Sequence, residues 1–303
     1  MDKFIHLRVH SDHSLFEAVG SVNDIITTAE SYGMGKVAIT DYNTLYAVNE
    51  FIEQFGSIKD DSQLIVGCEL FLRDSFYKDS VFKNSSSRIV VLCKNRTGYE
   101  NLVKLLNIAW TTGFYFRPTI TLEDLKQYRE GLIVLAGSFG SEIEKLVLRK
   151  NNPTDAEKLV KCLHDIFQDD LYLELTRVFS INDTSELENF IKSMRDKYNL
   201  DIVATNDTQR VNEKDLDKLE QALLLNFKSA EHISLVENNW MKSSEEMKEV
   251  FNDIPEAISN TAKLCDKIEN YTIDKWEHPK GESADTQHFS DLSKVRGLYK
   301  QLS

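Results

Sequence analysis

Three imidazoles crowd the start of the chain: His6, His10 and His13. If residues 4–9 run as a strand, residue 6 shares a face with residues 8 and 10. Clustered imidazoles invite metal coordination, because the neutral ring is the commonest protein ligand for metals. A lone histidine near a strand end is more often just a hydrogen-bond partner, and His6 and His13 read that way. Carboxylates able to join His10 stand far along the chain, as Asp41, Glu69, Glu174 and Asp207, each close behind an apolar run. Asp41 and Asp207 could equally cap a following helix, the usual task for such residues. Cys68 reads as a small buried hydrophobe rather than a nucleophile. The run Phe114-Tyr115-Phe116 could stack on bases. The formal net charge of −13 favours packing against the fold instead.

Gathering these groups requires a scaffold that brings distant strand ends together. Candidate strands are Phe4–Val9, Lys36–Thr40, Leu64–Leu70, Arg88–Cys93, Leu132–Ala136, Leu171–Leu175 and Asp201–Thr205. Most are nearly continuous apolar runs, the mark of strands buried on both faces. Amphipathic helices lie between them. One begins after Ser21, buries Ile25, Ile26 and Ala29, and stops at Gly33. Another follows Pro153, with Ala156, Leu159, Val160, Leu163 and Phe167 at helical spacing. The expected class is therefore α/β: a parallel, closed or nearly closed seven-stranded barrel covered by helices. In such barrels function sits at the C-terminal strand ends, here His10, Asp41, Glu69, Lys94, Ser138, Glu174 and Asp207. No Gly-x-Gly-x-x-Gly follows the first strand, so a dinucleotide fold has no support. Beyond residue 205 the pattern is helical, with a capping-box spacing at Ser243-Ser244-Glu245-Glu246 and a helix over Ile254–Ile268 entered through Pro255. From about Tyr271 the composition becomes that of a linker, with a short helical piece near Leu292–Leu302. His232, His278 and His288 read as solvated.

Bulk properties narrow the function classes. No signal-peptide h-region or long apolar window is present, so no membrane association is expected. Cys68, Cys93, Cys162 and Cys265 form no CxxC pair, which fits reduced thiols and a cytoplasmic location. The acidic balance repels phosphate backbones, so contact with DNA is expected only indirectly, through a partner or further polypeptide.

The run His6-Leu7-Arg8-Val9-His10-Ser11-Asp12 resembles the opening of the PHP (polymerase and histidinol phosphatase) domain at the N-terminus of bacterial DNA polymerase III alpha subunits. Collinear matches follow at Ala38-Ile39-Thr40-Asp41, Val66-Gly67-Cys68-Glu69, Gly113-Phe114-Tyr115, Thr205-Asn206-Asp207 and Asp253-Ile254-Pro255-Glu256-Ala257. The resemblance covers roughly residues 4–270. It implies a distorted, TIM-like barrel of seven strands with a C-terminal helical extension. Residues 1–270 would form this domain, and 271–303 the linker and start of the polymerase body. Active relatives hold a cluster of divalent metals at the rim, where water is activated against a phosphoester.

Carried over by position, the resemblance leaves His10, Glu17, Asp41, Glu69 and Asp207 as a vestigial rim. Arg8 stands where a first histidine is expected, Tyr42 for a histidine, Arg88 for a histidine, Ser138 for a cysteine and Gln209 for a histidine. Guanidinium cannot be deprotonated in a protein. Each arginine next to a cation site opposes it by roughly 4 kcal/mol at about 4 Å and an effective dielectric of about 20. Glu17, Glu69 and Asp207 are expected to pair with these arginines. No catalytic residue and no cofactor is expected, with zinc, manganese or magnesium only if the rim proves functional.

The implied role is a non-catalytic scaffold that supports the remainder of the alpha subunit and docks the proofreading exonuclease subunit in DNA replication. The nucleotidyltransferase chemistry would belong to the parent polymerase, since the palm carboxylates are absent from this sequence. A residual metal-dependent phosphoesterase or 3′–5′ exonuclease built on His10, Glu17, Glu69 and Asp207 is the alternative. A stand-alone PHP small-molecule phosphatase is a further one, disfavoured by the segment Ser244–Ala257.

Overall fold

The computed structural model describes residues 4–55, 64–73, 86–178, 184–226 and 238–273. Six strands form one curled sheet in the order β1 (Val37–Ile39), β2 (Leu64–Arg73), β3 (Ser86–Cys93), β6 (Leu132–Ala136), β7 (Leu171–Thr176) and β8 (Ile202–Thr205). Two residue pairs, β4 (Phe114–Tyr115) and β5 (Arg117–Pro118), make a separate hairpin. The expected linker and the piece near Leu292–Leu302 lie outside the described residues, as do His232, His278 and His288.

Two expectations need correcting. The sheet is mixed: β3 runs antiparallel to both β2 and β6, while β1–β2, β6–β7 and β7–β8 are parallel. Apolar runs report burial on two faces, which a central antiparallel strand shares with parallel ones. The second correction concerns Phe4–Val9, which forms no continuous strand ladder and pairs only through a bridge from Val9 to Thr208. Its hydrogen bonds are split among several elements. His6 O and Val9 O accept from Ala38 and Thr40 at 2.8 and 2.7 Å, Arg8 O accepts from Thr208 at 3.2 Å, and the Ile5 N–H donates to Thr261 Oγ1. The segment lies between β1 and the stretch just past β8, without a continuous ladder.

The strands sort their side chains by alternation. One parity faces the helices: Val66, Cys68, Leu70, Val91, Val134, Leu173 and Ala204 pack with α1 (Val22–Ser31), α3 (Arg96–Trp110), α6 (Pro153–Phe167) and α7 (Ser185–Tyr198). The opposite parity forms an inner core of Ile65, Leu92, Leu135, Tyr172 and Val203, closed by Leu264 and Cys265 of α10 (Pro255–Cys265). Continuing along that inner parity leads from Ile65 to Glu69, from Val90 back to Arg88, and from Tyr172 to Glu174. The inner face is thus apolar at one end and charged at the other. Gly67 sits between: a Cβ there would lie 2.7 Å from Leu92 Cδ2 and 2.8 Å from Thr40 Cγ2.

The helix ends follow their sequence signals. Ser21 accepts from the Asp24 N–H, and Gly33 takes φ +68° just past α1. Asn152 caps α6 ahead of Pro153, and Ser243 with Glu246 closes a reciprocal capping box on α9 (Ser244–Val250).

Candidate functional site

The charged end of the inner face is organised around Arg8. Its guanidinium is fully buried and forks onto Glu69, Nε to Oε2 and NH2 to Oε1, each at 2.8 Å. NH1 donates to Ser138 Oγ at 2.7 Å and to Glu174 Oε1 at 3.3 Å, and Nε lies 3.3 Å from Asp207 Oδ1. A fixed planar fork suits this arrangement better than a lysine could. Glu174 also accepts from Thr205 Oγ1 at 2.5 Å.

His10 lies against the same carboxylates, its Nε2 3.2 Å from Glu69 Oε2 and 3.3 Å from Asp207 Oδ1. Its ring stacks on Tyr42 at 4.2 Å, and Tyr42 Oη accepts from Arg88 NH1 at 3.0 Å and from Gln209 Nε2 at 3.2 Å. Arg88 stacks over the Tyr42 ring and approaches both Glu17 and Glu69 at 3.6 Å. Burial opposes the charge on Arg8, His10, Glu69, Arg88 and Asp207, and their partners reverse that penalty. His10 is lowered by burial but raised more by Asp207 and Glu69, to about 9. Burial would raise the Asp207 and Glu69 carboxyls, yet Arg8 first and His10 second hold both below their ordinary values. Burial drives the Tyr42 phenol well above its usual value.

Backbone geometry fixes these groups. Asp207 itself sits at φ +44°, a left-handed conformation that a non-glycine residue holds only at a cost. Ser138 is delivered by Gly137 at φ +119°, where a Cβ would lie 2.6 Å from Ile191 Cδ1.

Of the residues named from sequence, Arg8, His10, Glu69, Ser138 and Asp207 converge in direct contact. Tyr42, Arg88, Gln209 and Glu17 form the layer above them. Asp41 stands apart, and its carboxylate accepts from the Ser11 N–H at 2.7 Å and from the hydroxyls of Ser11 and Ser14 at 2.6 Å each. It holds the loop after His10 in place. His6 also turns elsewhere, with Nε2 2.8 Å from Lys242 O; burial lowers it to about 4. Lys94 is a correction: because β3 is antiparallel, its C-terminal end lies at the far rim, where Lys94 pairs with Asp170 at 3.1 Å. Glu174 was legible as a strand end, but nothing in the sequence tied it to Arg8.

His10, Glu69 and Asp207 offer ligand atoms within 4.8 Å of one another, as do the more exposed Asp12, His13 and Glu50. The donor types suit a divalent ion, but the inner trio does not fit one with Arg8 in place. Both Glu69 oxygens are already spanned by Arg8, whose charge is permanent and lies 3.3 Å from Asp207.

Comparison with known proteins gives the family. The PHP domain profile matches residues 6–178. The chain belongs to the PHP domain family. This PHP domain is 33% identical over 279 residues to the DNA polymerase III subunit alpha of Borreliella burgdorferi, a match covering 89% of the chain and 24% of that relative. It is 29% identical over 307 residues to the subunit alpha of Chlamydia pneumoniae, covering 87% of the chain and 24% of the relative. The domain therefore spans about a quarter of the length of these relatives. Among solved structures it is similar to an amidohydrolase from Chromobacterium violaceum, with TM-score 0.40 and 11% identity over 68% of this chain and 87% of that one. Among the described residues, no helix is long and apolar enough to cross a membrane.

Proposed function

We propose that this PHP domain is a non-catalytic scaffold within a DNA polymerase III alpha subunit, with Arg8 supplying the positive charge that a metal would supply in active relatives. The observation that carries the reading is the fully buried Arg8 guanidinium, forked onto Glu69 and close to Asp207 and Glu174. One permanent cation offsets several buried carboxylates without any exchangeable ion. Its partners would be the remainder of the alpha subunit and the proofreading exonuclease subunit, in the cytoplasm. DNA would be reached only through them. The N-terminal segment 4–9 would serve as a seventh stave, completing a TIM-like barrel through hydrogen bonds to its two neighbours.

The alternative is a residual metal-dependent phosphoesterase or 3′–5′ exonuclease, favoured by the three ligand atoms of His10, Glu69 and Asp207 within 4.8 Å. Incubation of the chain with a 3′-labelled oligonucleotide and manganese separates the two. The scaffold reading expects no release of label beyond that of an Asp207→Asn control. Release that depends on manganese and disappears in the control supports the nuclease.

A further inference from the structure

A cavity of about 400 Å³ opens beside the charged cluster, walled by Tyr42, Phe71, Trp110 and Phe116 and edged by Tyr46 and Arg117. Its rim holds aromatic groups out in solvent: Phe116 is 81% exposed, Tyr46 66% and Trp110 55%. Apolar groups this exposed and this contiguous mark interaction surfaces rather than ordinary surface scatter.

Backbone strain points the same way. Phe116 sits at φ +60° and, on the neighbouring loop, Phe16 sits at φ +64°. A bulky residue is held in the left-handed region only at a cost in backbone energy. Leaving a Phe side chain in water also forgoes the gain of burying it. Trp110 is fixed as well: its indole N–H donates to Asn43 O at 2.8 Å, and its ring stacks near Phe114 at 5.9 Å. A ring anchored as Trp110 is loses little freedom when a partner covers it.

The charge at the lip selects the partner. Arg117 stacks over Phe71 at 4.9 Å, and among the described residues it pairs with no carboxylate. Arg88 and Glu17, deeper in, already face one another at 3.6 Å. We propose that this cavity docks an extended apolar peptide segment of a partner protein, with a carboxylate beside its anchoring side chain to meet Arg117. Trp, Tyr and Arg are the side chains that dominate such interfaces. Single-stranded nucleic acid also stacks on exposed aromatics, but it brings a run of phosphates where the lip offers Arg117 beside Glu17 and the chain carries a net charge of −13, whereas one carboxylate needs only that arginine. The inference is independent of whether the charged cluster below the cavity is catalytic.

A random linear-peptide library displayed on phage and panned against the whole chain tests it, with selected peptides re-measured by fluorescence polarisation. Selected peptides should share a large apolar residue next to Asp or Glu. Their affinity should fall at least roughly tenfold on Phe116→Gly and on Arg117→Glu. Phe116→Gly relieves the positive φ and should melt no lower than the parent, so a failure to fold cannot imitate lost binding. Replacing the peptide acid by Lys should recover binding to Arg117→Glu. The inference is overturned if no peptide is enriched, if selected peptides bind both variants undiminished, or if labelled oligothymidine displaces them.

Discussion

Arg8 and Glu69 meet through two parallel N–H···O contacts of 2.8 Å each, and neither side chain has any solvent exposure. An ion pair so enclosed is a structural commitment. Desolvation of both charges has been offset, and the geometry leaves no room for either partner to be lost alone.

Arg8→Met should therefore destabilise the domain by about 3–5 kcal/mol, because Glu69, Asp207 and Glu174 remain buried with less compensation. Arg8→Lys should also cost stability, since an ammonium cannot form the fork. The double variant Arg8→Met with Glu69→Gln should lose less than Arg8→Met alone. Urea unfolding midpoints at neutral pH read all three.

Ser138 tests whether the hydroxyl at this position matters to the arginine. Ser138→Ala removes the 2.7 Å bond from NH1 and should cost about 1.5–3 kcal/mol, the range for hydrogen bonds to charged groups. Gly137→Ala, which forces a Cβ towards Ile191 at φ +119°, should cost about 1–3 kcal/mol while leaving the ion pair's own groups intact. A Ser138→Ala variant as stable as the parent would remove the hydroxyl from the account.

The two buried histidines should shape opposite limbs of the stability profile. His10 is raised from 6.5 to about 9, so the folded state holds the extra proton. Its contribution is fully present below pH 6.5 and is lost as pH rises through about 9. His6 is lowered from 6.5 to about 4, so the unfolded state binds the extra proton. Its contribution is present above pH 6.5 and falls as pH drops towards about 4. Melting temperatures across this range should show the alkaline slope flattened in His10→Gln and the acidic slope flattened in His6→Gln.

Much of this was legible because periodicity and end signals are local. The apolar runs located all six strands of the sheet, and Ser21, Gly33, Pro153 and Ser243 marked helix ends where the caps form. Strand direction was not legible, because burial on both faces reads alike in either orientation, and that put Lys94 at the wrong rim. The N-terminal run 4–9 is strand-like in composition, yet its hydrogen-bond partners come from residues up to 256 positions away. Position against the family motif placed Arg8, Ser138 and Arg88 near His10, Glu69 and Asp207. Glu174 needed the fold, since its link to Arg8 spans 166 residues. Asp41 looked like a rim carboxylate, but its three donors all come from Ser11 and Ser14.

Metal content tests the central claim most directly. The chain should be produced in medium supplemented with zinc and manganese, dialysed against metal-free buffer and analysed by inductively coupled plasma mass spectrometry. If Arg8 supplies the charge, metal should be far below stoichiometric, and a chelator should leave the melting temperature unchanged. Stoichiometric zinc or manganese that disappears in Glu69→Gln and in Asp207→Asn would contradict the account.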